Sequence, residues 1–469
     1  MTKAKKTKTR IKVEATVDRV RKCLDDDKDV SASLKDAVSG LIDMVVVLSN
    51  HLGVNSSNSS TPPSQDPNRA RGAKTAKGRK RKPGAQKGHK GTHLKQVEKP
   101  TESEEIFIDR RTLPPGQYKH IGWEKRQVFE TEVIVSVKEF CAEILANENG
   151  DEFIADFPEG VTEPAQYGNT VKVQSVYMSQ FQLVPLARVE DYFHDQVGLP
   201  LSKGSISNWN VLAYKKLERF EEWARRALIG SVCNNADETG INMNGERFWL
   251  HSMSNEKVTL FHADEKRGQD AMERMGVLPH FRGILMHDHW KPYFGYACTH
   301  GLCNAHHLRE LESAFEFDNQ KWAKKMQKLL VAMRDAVEKA GGSLTKAAAM
   351  KFRTKYHRLL RAADKECPPN PKTRAQSKSR NLLERLRNFD TETLLFLENP
   401  NVPFTNNRGE NDIRMTKVQQ KISGCFRSID GARVFCRVRS YLSTCRKNGI
   451  GPTEALTLLF DGKLPAFMC

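Results

Sequence analysis

Three acidic residues stand where they could hold hard, oxygen-seeking cations. Asp237 closes the run ALIGSVCNNADETG and Asp288 closes FRGILMHDH, so both carboxylates are expected at the ends of neighbouring strands, a natural placement for ligands of a divalent ion. Glu410 lies in TNNRGENDIRMTKVQQK, which reads as an Asn-rich turn opening a helix. Glu410, Arg414, Lys417 and Lys421 follow at spacings of four, three and four and share one helix face. A carboxylate for an ion, then three cations for phosphates, suits a helix lying along a nucleic-acid strand at a metal site. Each acid also has a plainer reading. A strand-end Asp caps a turn, Glu238 competes with Asp237, and Glu410 pairs with Arg414 on an ordinary surface helix. His287 and His289 flank Asp288, but strand alternation sends both to the face opposite the aspartate, which argues against a joint His/Asp site.

The elements that must position these acids are those of an α/β chain. Four runs, ALIGSVCNNADETG, ERFWLHSMS, KVTLFHAD and FRGILMHDH, predict four strands of a mixed sheet within residues 228–315. The interval from Asp288 to Glu410 is 410 − 288 = 122 residues, too long for one connection, so residues 316–400 are expected as an insertion. KWAKKMQKLLVAMRDAVEKA, TKAAAMKFRTKYHRLLRAAD and KSRNLLERLRNFDTETLLFL make it helical, and residues 401–469 complete the sheet's domain. Residues 166–227 read as helices with a break at Gly198 to Pro200 and a helix opening at Ser205. That order fits a helix-turn-helix presenting Ser205, Ser207 and Asn208 to a major groove, although plain helical packing gives the same pattern.

Upstream, QVFETEVIVSVKEF, CAEIL, an Asn149–Gly150 turn and EFIADF predict a small β unit over residues 101–165. Residues 55–100 begin as the polar linker NSSNSSTPPSQDP and then turn basic. Between Pro67 and Val97 there are eleven Lys or Arg and no acid, with Arg79, Lys80, Arg81 and Lys82 in one run. Such a stretch is expected to stay disordered and to neutralise phosphates without sequence choice. Within residues 1–54, Leu34, Val38, Leu41, Val45, Leu48 and Leu52 alternate at four and three, the seam of a short coiled coil or of a helix packed on its own protein.

The composition agrees with a polyanionic partner. The chain has 469 residues, enough for several domains, and a formal charge of +18. No run of eighteen apolar residues and no signal-peptide pattern occurs, so no membrane association is expected. Ten cysteines are scattered without a CxxC pair and read as reduced thiols. Cys298, His300, Cys303, His306 and His307 carry ligand types that fit zinc. They lack tetrahedral spacing partners, so buried packing is the preferred reading and zinc is not expected.

The sequence resembles the insertion sequence 66 family of transposases over nearly its whole length. The resemblance rests on NSSNSSTPPSQD, KPGAQKGHKG, YGNTVKVQSVYMSQFQLVPLARV, SKGSISNW, ADETG, HDHWKPY, LCNAHHLREL and, most specifically, FTNNRGENDIRMTKVQQKISGCFRSIDGA with VRSYLSTCRKNG. It implies an RNase H-like domain whose Asp, Asp, Glu triad falls on Asp237, Asp288 and Glu410. It also implies a bacterial DNA transposase that cuts element ends and joins them to target DNA with two Mg2+ ions, for which Mn2+ can substitute. The implied partners are double-stranded DNA, further copies of the chain in a homodimer or higher oligomer, and accessory proteins of the same element; the implied location is the cytoplasmic nucleoid. Many relatives carry CxxC pairs between the basic linker and the helix-turn-helix, whereas only Cys141 stands here, so the β unit is expected to rely on strand pairing and apolar burial. Two alternatives remain open, a non-catalytic DNA-binding regulator and a nuclease that cuts without joining.

Overall fold

In the computed structural model the described residues are 31–53, 94–369 and 377–468, with isolated positions between 16 and 26. The basic run Arg79, Lys80, Arg81 and Lys82 lies outside them. Helix α1, Ala32–Gly53, forms where the heptad-like seam predicts, with Leu34 and Leu41 exposed.

Residues 94–165 depart most from expectation. The short strands β1, Ile144–Ala146, and β2, Glu152–Ile154, pair antiparallel around a turn in which Gly150 takes a left-handed φ of 85°. QVFETEVIVSVKEF forms no strand, and Val128, Ile134 and Val137 stand 76–87% exposed. Alternation supplies one apolar face, but a strand needs a partner for its N–H and C=O groups and a layer to bury that face. Among the described residues neither occurs here, and the apolar side chains of this stretch stand exposed rather than buried.

Helix α2, Asn169–Val176, runs into a π turn at Tyr177–Phe181, and α3, Leu186–Tyr192, into another at Phe193–Val197 that stops at left-handed Gly198. Helix α4 covers Lys203–Lys216 and opens ahead of Ser205, because the Ser202 hydroxyl accepts the Ser205 N–H at 3.1 Å and acts as the cap. Val189, Phe193, Leu201 and Ile206 give this trio a small core of its own. Helix α5, Glu218–Ile229, leads into the sheet.

The sheet has five strands: β3, Cys233–Met243; β4, Glu246–Ser254; β5, Thr259–Asp264; β6, Ile284–His287; and β7, Thr299–Leu302. Their order is β5-β4-β3-β6-β7, with β3, β4 and β5 antiparallel and β6 and β7 parallel to β3. The β3–β4 turn is Asn244–Gly245, both with positive φ, the geometry that matches hairpin twist. Two sequence expectations change. β3 does not stop at Asp237 but runs on to Met243, and β7 is an additional strand. Its THGL is too short and too poor in β-branched residues to read as a strand.

Helix α6, Gln269–Met275, bridges β5 and β6. Helix α7, Asn304–Phe317, leads out of the sheet into the insertion, residues 316–400, which is helical as expected: α8, Lys321–Lys339, α9, Lys346–Glu366, α10, Lys378–Asn388, and the short α11, Asp390–Thr393. Its core of Leu311, Met326, Leu330, Tyr356 and Leu383 also takes in Ile284 and Met286 of β6, so it is packed onto the sheet. Helices α12, Asn407–Ser423, α13, Ile429–Lys447, and α14, Pro452–Phe460, complete the fold. On one sheet face Ala236, Met253 and Leu285 meet Phe220 and Leu228 of α5; on the other Ile241 and Leu250 meet Ile413 of α12 and Phe435 of α13. The edge strand β5 is covered by α13, whose Ser440 and Thr444 hydroxyls accept the Phe261 and Thr259 N–H groups at 2.8 and 3.0 Å. Among the described residues no helix is long and apolar enough to cross a membrane.

Candidate active site

β6 pairs with β3 only from Cys233 to Asn235, with Asn235 opposite Met286. Extending that register sets Asp237 level with Asp288, just where β6 ends and β3 loses its parallel neighbour. The sheet opens there, and both carboxylates lie at the opening, half-buried. The Asp237 carboxylate accepts the Glu238 N–H at 2.9 Å, and that of Asp288 accepts the Trp290 N–H at 3.0 Å. Neither has an ion-pair partner among the described residues. Burial, then the charges of Glu238, Asp288 and Glu410, push the Asp237 carboxyl well above the usual carboxylate range. Burial and Glu238 push Asp288 up to about 6, against the Trp290 N–H and the more distant Arg267 and Arg385.

The competition between Asp237 and its neighbour is decided by partners. The Glu238 side chain is 2% exposed, takes two hydrogen bonds from Arg267 at 3.1 and 2.6 Å, and accepts the Tyr293 hydroxyl at 2.7 Å. The Arg267 guanidinium is itself stacked on Trp249 and Trp290, 4.8 and 4.4 Å from the ring centroids. Both Glu238 oxygens are thereby occupied, and Asp237 has no such partner among the described residues.

Glu410 is carried to the same place by the start of α12. Asn406 is buried there: its amide donates to the Ala236 carbonyl at 2.7 Å, its side-chain oxygen accepts from Asn235 at 2.7 Å, and its backbone N–H donates to the Cys303 sulfur at 3.1 Å. These bonds tie the helix N-terminus to β3 beside Asp237. Gly409 permits the close approach, since a Cβ there would stand 3.2 Å from the Asn406 side chain. Glu410 does not pair with Arg414. Its Oε1 instead faces Arg309 at 3.5 Å, His306 Nδ1 at 3.8 Å and Cys303 Sγ at 4.0 Å. Among the described residues, the group of three or more His, Cys, Asp or Glu whose ligand atoms all lie within 4.8 Å is Cys303, His306 and Glu410, rather than the three acids.

The remaining sequence candidates divide. Arg414 and Lys421 are exposed on α12. Lys417 is half-buried and donates to the Gly240 carbonyl at 2.6 Å, so its ammonium fastens α12 to β3. Ser207 and Asn208 are exposed on α4, and Ser205 is half-buried inside the first turn. His287 is buried, and both His287 and His289 pack on Phe294; β6 ends at His287, so strand alternation does not extend to His289. Sequence reasoning missed Arg267, Tyr293, Arg309 and Arg385. Each reaches the site from a helix or loop, and an isolated Arg carries no sequence signal of what it will face.

The Transposase IS66 family matches residues 165–434, more than half of the chain. The chain belongs to that family. Residues 2–95 match a second family, DUF6444, whose function is unknown. No curated protein matches the chain. The IS66 match covers both aspartates, Glu410 and the whole helical insertion, and it ends inside α13.

Proposed function

We propose that this IS66-family protein is a DDE-type DNA transposase in which Asp237, Asp288 and Glu410 form the catalytic triad. The observation that carries the reading is the pair of half-buried aspartates, without ion-pair partners among the described residues, at the opening between β3 and β6, with the N-terminus of α12 tied beside them through Asn406. The sheet order, three antiparallel strands followed by two parallel ones, supports an RNase H-like domain comprising residues 228–315 and 401–469, with 316–400 inserted. Carboxyls held high by burial and mutual repulsion fit a divalent cation, because a cation removes the repulsion that raises them. Magnesium bound by Asp237, Asp288 and Glu410, or manganese in its place, would supply activation of a nucleophile and stabilisation of a leaving 3′ oxygen.

The chain's own groups do the rest. Glu238, locked by Arg267 and Tyr293, keeps β3 in register and adds negative charge without offering a free ligand. Arg414 and Lys421 face outward from the helix that carries Glu410 and are placed to take phosphates; Lys417 holds that helix down. Helices α2 to α4 would act as a helix-turn-helix over residues 166–227, with Ser207 and Asn208 exposed for DNA and Ser205 completing the cap. The basic segment with Arg79, Lys80, Arg81 and Lys82 would add salt-sensitive phosphate contacts. Hydrolysis at an element end frees a 3′-hydroxyl, and attack by that hydroxyl on target DNA completes joining. The test is end cleavage and joining with Mg2+ by the wild type and Asp237→Asn. Unchanged cleavage in the variant would sink the triad. Cleavage without joining of a pre-cut 3′-hydroxyl end would make the protein a nuclease.

A further inference from the structure

We propose that Cys303, His306 and Glu410 form a site for a thiophilic transition ion of the zinc class, separate from the magnesium positions on the aspartates. In the sequence Cys303 and His306 lack partners, which is why spacing alone spoke against zinc. The fold supplies one from 107 residues away, since the first turn of α12 brings Glu410 to the N-terminus of α7.

Three observations carry the site. First, one sulfur, one nitrogen and one oxygen converge with all separations within 4.8 Å, Glu410 Oε1 standing 3.8 Å from His306 Nδ1 and 4.0 Å from Cys303 Sγ. Metal–ligand bonds of about 2.0–2.3 Å in a tetrahedron set neighbouring ligands roughly 3.3–3.8 Å apart, so modest side-chain movement closes the set. Second, His306 Nδ1 is buried and makes no hydrogen bond, an expensive condition for an imidazole nitrogen that a metal would relieve. Third, the sulfur is already furnished as a ligand. Cys303 is the N-cap of α7 and accepts the Asn406 N–H at 3.1 Å, an outer hydrogen bond that fixes the sulfur facing Glu410; burial pushes its thiol up to about 11, and an incoming ion must displace that proton. Sulfur and imidazole select zinc or cobalt over magnesium. Three protein ligands leave a fourth position for water or substrate, and the nearest competitor is the Arg309 guanidinium, which must release Glu410.

The site shares only Glu410 with the proposed triad and stands or falls by itself. Its test is titration of the metal-free full-length chain with Co2+, read by the thiolate-to-cobalt charge-transfer band and the visible bands of tetrahedral cobalt. One equivalent should develop both, Zn2+ should displace it and Mg2+ should not. Cys303→Ala should remove the charge-transfer band while Cys298→Ala keeps it, and His306→Gln and Glu410→Gln should each weaken cobalt binding by about tenfold or more. Absence of the band, or its survival in Cys303→Ala, overturns the site. Where loss of the buried Cys303 prevents folding, as judged by circular dichroism, unchanged cobalt affinity in His306→Gln overturns it instead. Asp237→Asn should leave the cobalt spectrum intact, so failure of the triad and failure of this site are told apart.

Discussion

Buried carboxylates on one sheet are treated in opposite ways in this molecule. At the far end of β5, Asp264 is 7% exposed in its side chain, and burial alone would raise it. Arg274 grips both of its oxygens at 2.6 and 2.7 Å, and the Lys266 N–H adds a third bond, so Asp264 is drawn down to about 2. Glu238 is secured in the same manner by Arg267 and Tyr293. At the opening between β3 and β6, Asp237 and Asp288 receive one backbone N–H each and, among the described residues, no ion-pairing cation, and burial drives both upward. A fold that needs a buried acid for itself supplies the counter-charge. Where it leaves the counter-charge out, the cation is expected from a ligand.

The largest effect that can break this contrast is on activity. Asp237→Asn should lower Mg2+-dependent end cleavage by a factor on the order of 10⁴, as for groups that act as a unit, while thermal unfolding stays unchanged or rises. The compensated acids should answer in stability instead. Arg267→Ala leaves Glu238 buried without its guanidinium and should cost about 3 kcal/mol in denaturant unfolding, the figure held to the lower end because Arg267 is 40% exposed.

The pH dependence sharpens the same contrast. Asp288 titrates near 6 when folded and near 3.8 when unfolded, so the folded chain holds the extra proton. Stability from that proton is full below about pH 4 and is lost as pH rises through 6, by at most about 3 kcal/mol at 1.36 kcal/mol per unit. In chelator, Asp288→Asn should therefore unfold at higher denaturant than wild type at pH 8 and coincide with it near pH 3.5. The smallest effect belongs to the exposed cations. Lys421→Ala should leave the melting temperature unchanged and reduce the salt slope of DNA binding by about one, whereas Lys417→Ala should destabilise the chain through the lost bond to Gly240.

Much of the frame was legible because its signals are local. Four of the five strands, the helix opening before Glu410 and the helical insertion all declare themselves by periodicity and turn residues. QVFETEVIVSVKEF misled for the converse reason: its alternation is local, but pairing depends on a neighbour that the described residues do not supply. Strand β7 was silent because β6 and the insertion, rather than its own four residues, hold it in place. In the candidate site the acids could be named from sequence, yet which of Asp237 and Glu238 is free could not. That depends on Arg267, 29 residues away, and on Tyr293, 55 residues away. The meeting of Glu410 with Cys303 and His306 spans 107 residues and was likewise invisible.

The central claim, that the uncompensated aspartates are the seat of a divalent ion, is tested most directly by iron-directed backbone scission. The full-length chain is loaded with Fe2+ in place of Mg2+, treated with ascorbate and peroxide, and its fragments are mapped. The account predicts cuts clustered at Asp237 and Asp288, suppressed by excess Mg2+ and lost in Asp237→Asn. Cuts confined to Cys303–His306 and the start of α12, with none at the two aspartates, would contradict it.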